Sequence, residues 1–534
     1  MMPTSSTGRA NAVAAGAAPS LEGARLHFVG IGGCGMSGLA RMARQRGAVV
    51  TGSDRAGDSD AVNALRAEGI TVTGHQAADA VPADAERVVI SAAIPPDHPE
   101  VVAARSRGVE VVKYAQMLGA LMIGRTGVAV AGTHGKSTTT SILCHTLLRC
   151  GLDPSFIVGA HCEQIGGGAR VSSHSEPGSV SPDSNTPPTR SEPGPRREIL
   201  VAEACEYDRS FHHFHPTVAA ILNIEADHLD MYRDLDEIIE SFATFASRLP
   251  AADAGGYLLI GHDATARLTV AAGLDAEVET IGFGPQADWG VGMGEMADGA
   301  GRRRSHVTLS HGGDVVAQWR SPLPGEHMAY NAAAAAVLAR RLGAGWDAIA
   351  DAIAGFKGLD RRMQLIGYVG GDGHGSEPEA EAEPEPAPSA IPHHPSATDR
   401  IPVIDDYGHH PTEVDTTLRS LRRHYRPDRL ICVFQPHQHS RTRHLMEQFA
   451  VSFSEADMVL VPDIYFVRDS EHERAAVTAA DLVRRLRHQG TRAVHLSPMD
   501  AIAEHLRVML RPGDLVVTMG AGDVWRVARG LVTG

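Results

Sequence analysis

The chain has 534 residues, 43% hydrophobic and 21% charged, an ordinary globular composition with length for three or four domains. A formal net charge of −15 argues against a nucleic-acid or membrane-surface partner, and no apolar run approaches a membrane-spanning length. Six scattered cysteines without a C-x-x-C pair point to reduced thiols and a cytoplasmic protein.

The first twenty residues, MMPTSSTGRANAVAAGAAPS, carry one arginine and no apolar signal core, so residues 1–21 are expected to be a disordered tail. The first α/β block, residues 22–125, opens with the strand RLHFVG. Gly30, Gly32 and Gly35 follow in a G-x-G-x-x-G spacing, with Gly33 inside it, just ahead of a helix. Asp54 ends the next strand, VVTGSD. Alone this reads as a dinucleotide fingerprint, yet any pyrophosphate suits a helix N-terminus approached so closely.

The second block, residues 126–356, starts with the apolar run GVAVA and the loop GTHGKSTTTS. A usual phosphate loop has four residues between its glycines, whereas only Thr133 and His134 separate Gly132 from Gly135. The order strand, tight loop, helix is nevertheless that of a phosphate cradle, with Lys136 to reach the terminal phosphates and the Ser137 hydroxyl to ligate Mg²⁺. Of 49 basic side chains only Lys113, Lys136 and Lys357 are lysines, so a compact ammonium stands where a cradle needs one.

Further along, REILVAEACEYDRSF puts Glu203 at a strand's C-terminal end, well placed to hold Mg²⁺. PTVAAILNIEADHLDMY then ends a buried strand in Asn223, Glu225, Asp227 and His228, a crowd of polar groups that reads as a site. PGEHMAYNAAAAAVLARRL opens an alanine-rich helix carrying His327 and Asn331.

The third block, residues 357–534, holds the strands PVIDDYG, RLICVFQP, DMVLVPDIY and DLVVTMG. Asp405 and Asp406 end the first of these, and Pro411 takes the first position of the next helix. Adjacent histidines point apart, which argues against a metal shared by His409 and His410. Arg441 sits at a helix start, as an ion-pair residue or a phosphate ligand. Strands alternate with helices throughout, which implies mostly parallel sheets. Two segments, about 170–197 and 370–400, are Ser/Pro-rich and Pro/Glu/Ala-rich and read as disordered insertions.

Taken in order, GIGGCGMSGLA, GTHGKSTTT, EACEYDRSF, NIEADHLDMY, GEHMAYNAAAA, GLDRRMQ, DDYGHHPTE and FQPHQHSRT resemble the Mur ligase family. The resemblance is nearest to the members that join L-alanine to UDP-N-acetylmuramate, and the shortened phosphate loop is typical of that family. It implies three α/β domains: a Rossmann-like UDP-binding domain, a central P-loop ATPase-type domain and a Rossmann-like C-terminal domain. It also implies an ATP- and Mg²⁺-dependent amide synthesis through an acyl phosphate, by a monomer or homodimer.

Carried over residue by residue, Gly132, Thr133, His134, Gly135, Lys136, Ser137 and Thr138 would cradle ATP. Ser137 and Glu203 would hold one Mg²⁺ and His228 the second, while His327, Asn331 and Arg361 would contact the nucleotide. Gly30, Gly32, Gly33, Gly35, Met36, Ser37 and Asp54 would bind UDP. Asp405, Asp406 and His409 would lie near the amino acid. Lys136, Glu203, His228, Asp405 and His409 would then carry the catalysis. Met328 stands where an asparagine often follows the histidine, and HQHSRT departs from the family's HRYTRT at Gln438 and His439. The rival readings are a recycling ligase that attaches a tripeptide to the same sugar nucleotide, and an NAD-dependent oxidoreductase built on the first block. The loop GGCGMSG, in place of the recycling enzyme's CGTFMGG, favours the alanine-adding members.

Overall fold

A computed structural model describes residues 20–173, 198–297, 303–370 and 400–533, apart from positions 265, 322 and 468. Residues 1–19, 174–197 and 371–399, which hold most of the expected tail and insertions, lie outside it. Two edges of those segments are placed, and both correct the sequence reading. Leu21 is buried in the core against the first sheet. Arg170 pairs in a strand, and Ser172 and Ser173 donate to the Asp153 carboxylate. Asp153 also binds Arg170, which gathers the stretch that composition alone assigned to disorder.

Each of the three blocks forms one sheet. The first contains β1 (Arg25–Val29), β2 (Val49–Ser53), β3 (Thr71–Thr73), β4 (Arg87–Ile90) and β5 (Glu110–Lys113), in the order β3-β2-β1-β4-β5. All its pairs are parallel, as helical crossovers require. The chain order reverses around β1, which places a crevice at the C-terminal ends of the strands.

The central sheet has ten strands: β6 (Thr126–Ala131), β7 (Ser155–Ile157), β8 (Ala169–Arg170), β9 (Ile199–Glu203), β10 (Val218–Ile221), β11 (Tyr257–Gly261), β12 (Glu277–Gly282), β13 (Trp289–Ala297), β14 (Arg303–His311) and β15 (Asp314–Arg320). Its core, β11-β10-β6-β9-β7, is parallel and buried on both faces, which explains its unbroken apolar runs. The reading of alternating strands and helices missed an antiparallel meander, β13-β14-β15, at one edge. Gly312 and Gly313, both at positive φ, close its second hairpin, and that Gly-Gly pair was the available signal.

Two helices cross this sheet side by side. Helix Lys136–Arg149 follows β6, and helix Glu326–Arg341 packs along it with Ala332 to Ala336 all buried. Five alanines in a row let the two backbones approach closely, which seats Asn331 directly over the phosphate loop.

The third sheet contains β16 (Gln364–Val369), β17 (Ile401–Asp406), β18 (Arg429–Phe434), β19 (Met458–Val461), β20 (Ala493–His495) and β21 (Asp514–Met519), in the order β16-β17-β21-β18-β19-β20. Only β16, at an edge, runs antiparallel. Among the described residues no helix is long and apolar enough to cross a membrane.

Candidate active site

The polar groups foreseen in the second block converge at the C-terminal ends of β6, β9 and β10. The loop after β6 needs its glycines. Gly132 lies at φ +138, where an added Cβ would stand 3.1 Å from the Leu222 backbone nitrogen. Gly135 lies at φ +83, where a Cβ would come within 2.5 Å of Asn331 Oδ1. Asn223 staples the loop from the neighbouring strand, accepting from His134 N at 2.7 Å and donating to His134 O at 3.1 Å. Thr133 Oγ1 accepts from Glu225 N at 2.8 Å. Thr138 is buried on the first turn of the helix that follows.

Lys136 Nζ donates to the carbonyls of Gly132 (2.6 Å) and Thr133 (3.0 Å) and pairs with Glu206 Oε2 at 2.9 Å. Burial opposes its charge, but Glu206 outweighs that and raises the lysine's pKa above its ordinary value. Ser137 Oγ donates to Glu203 Oε1 at 3.0 Å, while Glu203 Oε2 accepts from Gly159 N. His228, at φ +54, brings Nε2 to 3.6 Å from Glu206 Oε1. Glu206 itself was missed. It is the second acid of EACEYD, 3% exposed, and its position three residues after Glu203 was the legible sign.

A cleft opens beside the loop, between the second and third sheets. Gly135, Thr138, His327, Asn331, Arg362 and Asp406 are among its lining residues. Burial pushes the His327 imidazole down to about 4, so it is neutral at pH 7. Arg361 is not at this cleft. Its guanidinium turns into the third block, donating to Asp405 Oδ2 at 3.2 Å and to the Gly520 carbonyl at 2.6 Å. The next residue, Arg362, lines the cleft instead.

Asp405 is equally inward-facing: 1% exposed, it accepts from Thr518 Oγ1 and Arg361, and burial raises its pKa. It supports β17 rather than facing a ligand. Asp406 accepts from Met363 N and Gly408 N and is pushed up to about 6 by burial. His409 is lowered to about 4, by burial first and Arg441 second, and its Nδ1 lies 3.1 Å from the Tyr407 carbonyl. Arg441 reaches Asp227 from the third block, beside a smaller pocket that His228 also lines.

In the first block Gly30 lies at φ +74, and Gly32 N donates to Asp54 Oδ2 at 2.8 Å. Asp54 also accepts from Ala56 N, so its carboxylate shapes the loop. Gly33 caps helix Cys34–Gln45, and Gly35 faces the Tyr114 ring, which a Cβ would meet at 3.1 Å. Met36 and Ser37 depart from expectation. Both are buried on the inner face of that helix, and Ser37 Oγ donates to the Cys34 carbonyl. The loop therefore offers backbone, not these side chains, to a ligand.

Three family profiles match the chain. "Mur ligase family, catalytic domain" covers residues 25–126, "Mur ligase middle domain" 130–339, and "Mur ligase, glutamate ligase domain" 394–522. Among curated relatives, the UDP-N-acetylmuramate--L-alanine ligase of Geobacter sp. (strain M21) is 35% identical, with 94% of this chain and 96% of that protein covered. Proteins of the same name from Mycobacterium avium and Streptomyces coelicolor are each 37% identical, covering 95% of this chain and 95% and 97% of their own lengths. The crystal structure of the UDP-N-acetylmuramate-alanine ligase of Thermotoga maritima superposes with a TM-score of 0.69 at 22% identity, over 95% of this chain and 98% of that one. A murein peptide ligase from Psychrobacter arcticus gives 0.62 at 23%, over 96% and 98%. These last two likenesses concern the fold.

Proposed function

The chain belongs to the Mur ligase family, and from that premise we propose that it is an ATP-dependent ligase joining L-alanine to the carboxylate of UDP-N-acetylmuramate. The observation that carries the chemistry is the convergence of Lys136, Ser137, Glu203 and His228 on one strand-end crevice beside a cleft. The curated relatives at 34–38% identity carry the alanine-adding name along nearly the whole chain, which favours it over the tripeptide-recycling reaction. An oxidoreductase reading leaves the second and third blocks without a role.

A carboxylate is a poor electrophile, and ATP is an anion that must be brought against it. In this reading the muramyl carboxylate oxygen attacks the γ-phosphorus and ADP leaves. The amine of L-alanine then attacks the acyl carbon, losing a proton, and phosphate leaves. Lys136 holds its charge against burial because Glu206 stands beside it, so the ammonium is in place before the phosphates arrive. Ser137 Oγ and Glu203 Oε1, 3.0 Å apart, are hard oxygen donors suited to Mg²⁺, which when bound neutralises phosphate charge. His228 would supply a ligand to a second ion. His327 and Asn331 line the cleft that would take the nucleotide, and His409, neutral at pH 7, would lie near the amino acid. The Gly30–Gly35 loop binds the UDP pyrophosphate through its backbone and the N-terminus of helix Cys34–Gln45. The scattered cysteines and the need for ATP support a cytoplasmic reading.

The test is phosphate release. It should require ATP, Mg²⁺, UDP-N-acetylmuramate and L-alanine together, and NAD should have no effect. Turnover with L-Ala-D-Glu-diaminopimelate and none with L-alanine would identify the recycling reaction instead.

A further inference from the structure

The side chains of His134, Glu225 and His410 meet beside the phosphate loop, with His134 and Glu225 at the wall of the nucleotide cleft. We propose that they form a binding site for a divalent transition-metal ion of the Zn²⁺ class, joining the third block to the phosphate loop. One candidate ligand atom from each residue lies within 4.8 Å of the other two. His134 Nε2 stands 3.6 Å from Glu225 Oε2, and His410 Nδ1 stands 4.0 Å from the same oxygen. Donors of a tetrahedral zinc site are about 3.3 Å apart, from bonds of about 2.0–2.1 Å, so the triad closes with shifts of roughly 1.5 Å or less.

The groups behind the ligands carry the inference. A ligating imidazole usually has its other nitrogen held by a carboxylate or a backbone carbonyl. Here His134 Nδ1 lies 3.3 Å from Glu413 Oε1, and His410 Nε2 lies 3.2 Å from the Ala226 carbonyl. The first contact directs a ring proton of His134 away from the cluster, whereas His410 Nδ1, on the cluster side, accepts from Thr412 N at 3.3 Å, a long cap contact that the ion displaces. His134 Nε2 is fully buried and has no hydrogen-bond partner. Thr412 Oγ1 donates to Glu225 Oε2 at 2.6 Å, which fixes that carboxylate. Two imidazoles with one carboxylate prefer Zn²⁺, Co²⁺ or Ni²⁺ to Mg²⁺, so this site and the Ser137–Glu203 site select different ions.

The full-length protein, stripped with EDTA and kept in excess Mg²⁺, is titrated with Zn²⁺ by calorimetry and with Co²⁺ by visible absorption. Wild type should bind one more Zn²⁺ per chain than His410→Ala, and its Co²⁺ ligand-field spectrum should be lost in the variant. Glu225→Gln keeps shape and the Thr412 contact, and should bind at least about tenfold more weakly, in line with what ligand-shell changes cost. It decides the question if His410→Ala fails to fold. Equal stoichiometry and affinity in wild type and the folded variants would overturn the proposal.

Discussion

Arg441 and Asp227, 214 residues apart, form a buried ion pair in which two guanidinium nitrogens converge on one carboxylate oxygen at 2.9 and 3.0 Å. Their side chains are 7% and 8% exposed. Asp227 Oδ1 also accepts from His228 N, and Arg441 Nη2 lies 3.4 Å from His228 Nδ1, so the third block holds the histidine of the second in place. Burial alone would raise the Asp227 pKa, but His228 and Arg441 hold it well below the usual carboxylate range. Arg441→Met should therefore strand a buried charge and cost about 3–5 kcal/mol of stability by denaturant unfolding. Adding Asp227→Leu should restore most of that while turnover stays low. A single variant within 1 kcal/mol of wild type, roughly the worth of an exposed pair, would show the pair open in solution.

Lys136→Arg should lower kcat by roughly 10²–10³-fold, the loss typical when one transition-state donor is removed. The ammonium fits between two carbonyls and Glu206, at 2.6, 3.0 and 2.9 Å, where a planar guanidinium is too wide. An unchanged melting temperature with near-normal turnover would remove Lys136 from the reaction.

The strand-end groups of the second block were legible because their sequence is local: an apolar run stops, and acids, an asparagine and a histidine follow. Side chains whose partners lie hundreds of residues away were not. Arg361 and Arg362 are indistinguishable in GLDRRMQ, and only the positive φ of Arg361 and its turn toward Asp405 and Gly520 separate them. Asp405 and Asp406 alternate faces on β17, so one holds the arginine inside while the other reaches the cleft. Met36 and Ser37 follow a glycine loop, but helical geometry turns them inward to the core. The three-sheet architecture, by contrast, followed from apolar runs and helix signals that need no distant partner.

His134 should give stability a slope in the alkaline range. Its pKa is raised from an ordinary value near 6.5 to about 9, so the contribution is fully present below about 6.5 and is lost as pH rises through about 9. Burial opposes this, and Glu413 and Glu225 drive it, with the His410 ring packed alongside at 4.7 Å. The contribution is on the order of 3 kcal/mol, from about 1.4 kcal/mol per pKa unit. In EDTA, wild type and His134→Gln should differ most at pH 6 and converge by pH 10 in denaturant unfolding. A difference that grows with pH would contradict the assignment.

Gly119→Ala should destabilise although alanine is the better helix former. An added Cβ would stand 1.9 Å from the His213 carbonyl oxygen and 2.7 Å from its carbon, so helix Tyr114–Met122 would have to lift off backbone. Overpacking of this kind costs about 1–3 kcal/mol, more than the roughly 1 kcal/mol that helix propensity returns. Gly530→Ala is the control, since nothing lies within 4 Å of a Cβ there in helix Trp525–Thr533. The control should be neutral or slightly stabilising in a thermal melt. Equal effects at the two sites would mean that the close approach at Gly119 does not exist.

The proposed preference for L-alanine implies a small apolar pocket, and what such a pocket can and cannot reject sets the order of amines. With ATP, Mg²⁺ and UDP-N-acetylmuramate, L-alanine should give the highest kcat/KM. Glycine lacks one methyl, and a missing methyl or methylene in such a pocket is worth only about 1–3 kcal/mol, or roughly 10–200-fold. Glycine should therefore be a weak substrate, not an excluded one. L-Serine adds a hydroxyl that an apolar pocket also rejects only moderately, so it too should turn over slowly. Bulky amino acids should fail outright, because a pocket sized for a methyl group excludes them. Phosphate release measured across this series distinguishes the outcomes: a graded order of alanine, then serine and glycine, fits a steric apolar pocket. Complete rejection of glycine would instead require a contact specific to the methyl-bearing carbon's geometry, and equal turnover of bulky amines would mean that the pocket is open.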